Sequence, residues 1–260
     1  MTAILRNESR KRIRGSVTLV GAFAFLSAFL FAVFPSFSEE AELIEESLPD
    51  VLIGLFGFEA MHTVEGFVAG YAYPMMLVLF AGIYVAYTSA GMIAGDISDR
   101  KMDLILSTPV PRASVIAQKF GALWVPLTAI NGGLFVIVLA GAFAVGESID
   151  PVVLGMAHLL ALPYLLVCAG LGLVFSVVLA RQETAEIAAL SLVFLLWLVE
   201  GIAEMSPDFE WIRYAMPTRY YDMGAILIHE EYALADAGVL LIVFIGLFVT
   251  ATVLFIRRDI

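Results

Sequence analysis

Pro151-Val-Val-Leu-Gly-Met-Ala-His-Leu-Leu-Ala-Leu-Pro-Tyr-Leu-Leu-Val-Cys-Ala-Gly-Leu-Gly-Leu-Val-Phe-Ser-Val-Val-Leu-Ala180 runs between Asp150 and Arg181 without one Asp, Glu, Lys or Arg. A helix needs about 20 mainly apolar residues to cross the roughly 30 Å hydrocarbon core of a bilayer. This stretch exceeds that length. Uncharged runs of sufficient length recur at Gly15–Ser38, Gly66–Gly95 and Phe120–Gly146, and Ala237–Ile256 just reaches it. Ile187–Met205 reaches it only with Glu200 and Glu204 near an interface. The reading is an all-α membrane protein with six transmembrane helices.

Composition points the same way. The 260 residues are 61% hydrophobic and 15% charged, against about 25% charged for an ordinary soluble domain. One soluble core of this size cannot hide so much apolar surface, so lipid must serve as a second solvent. The first apolar run follows a basic tail and is long enough to span, so it reads as a retained helix rather than a cleaved leader. The single cysteine, Cys168, offers no disulfide framework.

Basic residues set the orientation. With the N-terminus cytoplasmic, the inner segments are 1–14, 96–119, 181–186 and 257–260, which hold 12 of the 14 Lys and Arg. Only Arg213 and Arg219 remain outside. An even number of spans is required, and the C-terminus is also cytoplasmic. Of the 25 acids, 18 fall in outer segments. That outward acidity suits either a halophilic prokaryote or simple repulsion of anions from an outer mouth.

The spans are read as one membrane domain over 1–260, with outer loops at 38–65 and 206–236. In the first loop, Ser38 is placed as a helix cap before Glu39, Glu40 and Glu42. Ile44, Leu48, Val51, Leu52 and Leu55 recur at helical spacing, interrupted by Pro49, as in a helix lying on the membrane surface. In the second, Trp211, Tyr214, Tyr220, Tyr221 and Tyr232 read as an interfacial aromatic belt in preference to a substrate site. The basic segment 1–14 reads as an interfacial helix on anionic headgroups, each basic residue contributing about 1 kcal/mol.

The inner segment after the second span carries the functional signal: Gly95-Asp96-Ile97-Ser98-Asp99-Arg100-Lys101-Met102-Asp103-Leu104-Ile105-Leu106-Ser107-Thr108-Pro109-Val110-Pro111-Arg112. A charged turn leads into a short helix that must stop near Ser107, because Thr108 precedes a proline. Such an element, held between two spans, can take a push from a soluble partner. A loop charged only for solvation and orientation is the plainer reading of the same residues.

This segment resembles that of the membrane subunits of ABC-2 type ATP-binding-cassette transporters. Their pattern is an acid-rich start, Gly-Thr, a hydrophobic residue, an acid, three leucine-like residues, Ser-Thr-Pro, and a basic residue followed by Lys. Asp96 stands for the leading acid, and Met102 through Pro109 match in order, with Arg112 and Lys119 following. Arg100 and Lys101 replace the Gly-Thr pair. The basic N-terminal segment, the six spans, Met216-Pro217-Thr218-Arg219-Tyr220 and Arg257-Arg258-Asp259 extend the likeness over the whole chain.

The resemblance implies a permease subunit of an ATP-driven exporter. It implies a second permease copy, identical or related, and ABC ATPase subunits that dock on the inner loop, the coupling helix of the family. That role falls on Asp96, Asp99, Arg100, Lys101, Asp103, Ser107, Pro109 and Arg112. The family's dimer interface involves the first and fifth helices, which makes Glu200 a candidate for the translocation path; His158, an ionisable group in the fourth span, is a second candidate. Packing roles for both are the plainer alternative, since an ionisable group within a span is functional by default but near an interface can simply be wetted.

No Gly-x-x-x-x-Gly-Lys-Ser/Thr loop occurs, so ATP and Mg2+ are expected in the partner and no cofactor on this chain. His62, His158 and His229 form no His-Glu-x-x-His pair, which leaves an intramembrane hydrolase a poor rival. A scaffold protein without transport is the other rival. Met61, Met75, Met76 and Met92 are scattered as packing residues are, rather than as a soft-metal path. Asn131-Gly132-Gly133 and Gly170 with Gly172 read as sites of close helix contact.

Overall fold

The structure is a computed structural model that describes residues 3–47, 60–107, 109–204 and 209–258. Six helices in it are long and apolar enough to cross a membrane, and no strand occurs among the described residues. The spans are α1 (Ala3–Ser47), α2 (Val64–Ser98), α4 (Arg112–Ala144), α5 (Pro151–Val178), α6 (Gln182–Glu204) and α8 (Leu234–Arg257). A short α3 (Lys101–Leu106) lies between α2 and α4, and α7 (Met223–Leu227) precedes α8.

The first span is longer than its uncharged run. α1 begins in the basic segment and passes through Pro35 and Ser38 without a break. Ser38 is therefore not a cap: its hydroxyl donates back to the Pro35 carbonyl at 3.0 Å, inside the helix. Glu39 and Glu40 continue α1, as does Ile44, while Leu48, Pro49, Val51, Leu52 and Leu55 lie outside the described residues. The basic residues likewise form the first turns of α1 rather than a separate surface helix.

In α2, Pro74 shapes the backbone. Proline has no N–H to close an i→i−4 bond, and Val68–Ala72 and Pro74–Phe80 are wound as π-helix before Ala81–Ser98 returns to α. In α4, Pro126 cannot donate to the Ala122 carbonyl, which accepts instead from Val125 N–H at 3.3 Å. The helix tightens there, between Arg112–Gly121 and Trp124–Ala144. Asp150 caps α5, its side chain accepting from Val152 N–H at 2.6 Å, with Pro151 in the first turn where a missing donor costs nothing.

α5 and α2 are the most enclosed helices, whereas α1, α6 and α8 turn broad apolar faces outward. Phe25 and Phe143 are more than four-fifths exposed, a state that hydrocarbon, not water, makes stable. Lipid is as apolar as leucine, so helices in it associate through close backbone approach and polar contacts rather than hydrophobic burial. Gly172 supplies the closest approach: a Cβ there would overlap the Ala86 carbonyl of α2. Gly170 does the same toward α8, where the Cβ of Leu247 would lie 3.0 Å away.

Residues near both ends of the described chain meet the α2–α4 connection at one end of the bundle, through Glu8 with Lys119 and Arg112 with Arg258. We call this the basic end.

Candidate functional site

Asp96, expected in a solvated loop, is instead buried in the last turns of α2. Its carboxylate pairs with Lys119 of α4, a residue with no solvent exposure at all. Lys119 Nζ also lies 3.3 Å from Glu8 Oε1 of α1 and donates to the Met92 carbonyl at 3.2 Å. Glu8 takes Lys11 at 2.7 Å and Arg12 at 3.5 Å, and Arg12 reaches the Thr88 carbonyl at 3.4 Å. Two acids and three bases thus join α1, α2 and α4 where the membrane-spanning chain ends. Removing one partner from such a buried pair typically costs 3–5 kcal/mol, because the other charge is left desolvated. The expected inner segment 96–119 is correspondingly shorter: its last residues, from Arg112, belong to α4, and Lys119 is core.

Arg112 forms a second joint. Its Nη1 donates to the carbonyls of Phe255 at 3.3 Å, Ile256 at 3.2 Å and Arg258 at 2.5 Å. These are carbonyls at a helix end, where no intrahelical donor remains and a cation is favoured. Arg258 repeats the device one helix away, donating to the Val177 carbonyl and, at 3.4 Å, to that of Leu179 at the end of α5. Burial lowers the Arg258 pKa, but from a value so high that the guanidinium stays charged.

Ser98 forms a third joint. Its hydroxyl donates to the Ala180 carbonyl at 3.3 Å and accepts from Gln182 N–H at 3.2 Å. The segment 96–112 is therefore bonded, directly or through one neighbour, to all six spans.

Between these joints the segment faces outward. Asp99 and Lys101 form an exposed pair at 2.6 Å, and this contact raises the Lys101 pKa. Arg100, Asp103, Ser107 and Pro109 are exposed too. Met102 is fully buried and anchors α3. Ser107 ends the helix by donating to the Leu104 carbonyl at 2.8 Å, as the following Thr-Pro demands; Thr108 itself lies outside the described residues. Leu104 stands 72% exposed among the charges. In the sequence a leucine in an apolar triplet reads as packing; only the direction of the helix shows that this one is exposed.

Arg100 adopts φ +57°, ψ 23°, a left-handed backbone that glycine takes without cost and other residues take at about 1 kcal/mol. It stands where the family pattern has glycine. Arg100→Gly is expected to stabilise the chain by about 1 kcal/mol, read as a raised apparent melting temperature in detergent. A lowered value would mean that the arginine side chain, not the backbone, governs this turn.

Glu200 on α6 and His158 on α5 take part in neither the joints nor the exposed face of that segment, and their named partners differ. Glu200, 8% exposed, is paired with Arg213 at 2.9 Å, across from the turn Glu210–Arg213. His158 is buried in a line of side chains over three spans: Tyr73 Oη to His158 Nε2 at 2.8 Å, His158 Nδ1 to Asn131 Oδ1 at 3.3 Å, and Asn131 Nδ2 to the Leu127 carbonyl at 2.9 Å. A neutral ring with its proton on Nδ1 satisfies every atom in that line. Tyr73→Phe would leave Nε2 without a donor, at an expected cost of about 1–2 kcal/mol. An unchanged melting temperature would remove the line as a structural element.

The aromatic belt needs one correction. Trp211 and Tyr214 are exposed as expected, but Tyr221 is buried, stacked on Tyr164, and donates to the Ala157 carbonyl at 2.8 Å. Burial raises its pKa accordingly. Tyr164 in turn donates to the Val78 carbonyl in the π-helical stretch at 3.1 Å. On the outer surface of the bundle, α1 and α2 enclose an apolar groove of about 340 Å³, walled by Leu19, Phe23, Leu26, Phe80, Ile83 and Tyr84 among others.

Six apolar spans and a polar frame gathered at one end define a multi-pass membrane protein whose connecting segment is linked, directly or through one neighbour, to every span. The chain belongs to the ABC-2 family of transporter proteins, whose family model matches residues 2–260. It is a permease component of an ABC transporter, and the family implies association with an ABC ATPase. Among curated proteins, none matches it.

Proposed function

We propose that the basic end is cytoplasmic and that α3 is the coupling helix on which a separate ATPase subunit docks. The outward face of Asp99, Arg100, Lys101, Asp103, Leu104, Ser107 and Pro109 meets the partner, while Asp96 and Arg112 hold that face to the spans. The observation that carries this reading is the combination of an exposed leucine ringed by charges with a segment bonded to all six helices. An apolar anchor with a polar rim is the usual build of a protein interface.

ATP and Mg2+ are bound by the partner, whose closure moves the segment. A pair of permease copies in the plasma membrane, meeting through α1 and α6, then opens a path outward. The α1–α2 groove is a candidate wall of that path, and Glu200 on α6 is a candidate to face the path from the paired copy. His158, in its closed line of hydrogen bonds, braces the spans.

Affinity purification of the solubilised permease from its native host tests the partnership. An ABC ATPase should come with it, and reconstituted vesicles should move a substrate outward only with ATP. A permease that retains an ATPase without ATP-dependent transport would be a scaffold instead. One that never retains an ATPase loses the docking role.

A further inference from the structure

The three joints that hold the segment 96–112 differ greatly in strength, and that ranking says which spans follow it. We infer that Glu8, Asp96 and Lys119 are positioning residues for coupling: they make the basic end of α1 a rigid extension of the moving segment, while the joint to the α5–α6 turn yields. This rests on the docking reading above.

Lys119 is wholly enclosed, its ammonium held between two carboxylates that are themselves nine-tenths buried or more. Pulling Glu8 or Asp96 away would strand a charge in a low-dielectric interior, the costliest break available to a protein. The Ser98 joint consists of two neutral hydrogen bonds at 3.2–3.3 Å between exposed groups. Water replaces such bonds at little net cost. Next to it, the polar side chains of Gln182 and Glu186 lie over Gly91 and Gly95, where a Cβ would come within 2.6–2.8 Å of them. The Arg112 joint is intermediate: it is charge-assisted but only half-buried. Under load the segment parts from the α5–α6 turn long before it parts from α1 and α4.

Two distances measured by pulsed electron resonance test this. Spin labels at Arg10→Cys and Ala113→Cys report α1 against the segment's exit, and labels at Ala113→Cys and Arg181→Cys report the exit against the α5–α6 turn. All three positions are exposed. In the permease–ATPase complex in nanodiscs, a non-hydrolysable ATP analogue should shift the 113–181 distribution and leave 10–113 unmoved. Lys119→Met should broaden 10–113 and let it shift with nucleotide, and Lys119→Arg should restore the tight distribution. Should Lys119→Met fail to fold, Glu8→Gln, which keeps the Lys119–Asp96 pair, should broaden 10–113 in a monodisperse complex. A nucleotide-dependent 10–113 distance in the unmodified cluster overturns the inference, as does a tight distribution in both the Lys119→Met and Glu8→Gln proteins. A permease that forms no complex overturns the docking reading, and a complex in which nucleotide moves neither distance overturns this inference.

Discussion

Leu104→Glu is expected to strip the ATPase from the purified permease while leaving the permease itself intact. The side chain is 72% exposed, so its replacement removes almost no packing and introduces no buried charge into the free protein. In the docked state the same carboxylate would be desolvated at the centre of the contact, one residue from Asp103, with no opposite charge assured. Loss of a central anchor in an interface typically costs at least 2 kcal/mol, or roughly 30-fold in affinity. Retention of the ATPase on immobilised permease, read beside the melting temperature of the permease, separates the two effects. Undiminished retention would move the docking surface away from α3. Leu104→Met, similar in volume and polarity, should bind nearly as the parent does.

Gly172→Val should be the most damaging single substitution in the membrane-embedded part. The new Cβ would occupy the place of the Ala86 carbonyl oxygen and come 3.0 Å from the Ser89 Cβ. A backbone atom cannot step aside as a side chain can, so α2 and α5 must separate along their length. Overpacking typically costs 1–3 kcal/mol, and contacts with backbone lie at the upper end. About 3 kcal/mol or more is expected, seen as a large fall in melting temperature and a loss of the monodisperse peak in detergent. Gly201→Ala is the control: nothing lies within 4 Å of a Cβ at that position inside α6, so its stability should not fall and should rise by up to about 1 kcal/mol, as alanine does in a helix interior. A tolerated Gly172→Val would show that the α2–α5 contact is looser than the geometry allows.

These expectations differ in how far the sequence could have supplied them. The six spans were legible because a bilayer imposes one length and one polarity on every helix that crosses it. α5 was expected to run over Pro151–Ala180 and is found at Pro151–Val178. The stop of α3 at Ser107 was legible too, because proline acts on its immediate neighbour. Ser38 was misread for a local reason: the residues that favour a cap also tolerate a helix interior, and only the uninterrupted hydrogen bonding of α1 decides between them. Tyr221 was misread because an amphipathic ring fits a belt and a buried hydroxyl equally well until its acceptor, the Ala157 carbonyl, is known.

The segment 96–112 divides along the same line. Its family likeness, its short helix and its charges could be read from order alone, since they depend on neighbours within a turn or two. Which charges face inward could not. Lys119 is separated from Glu8 by 111 residues, and Arg112 from the carbonyl of Arg258 by 146. Periodicity carries no information over such separations.

The amino-acid order by itself determined that this chain lives in lipid, how many times it crosses, and where a short proline-stopped helix sits between two spans. Hydrocarbon thickness and proline geometry act locally and leave local marks. Only the tertiary structure decided that Asp96 and Arg112 are fastenings while Leu104 is the exposed knob. Electrostatic pairing and side-chain direction are settled by which helices become neighbours, and that follows from the packing of the whole bundle.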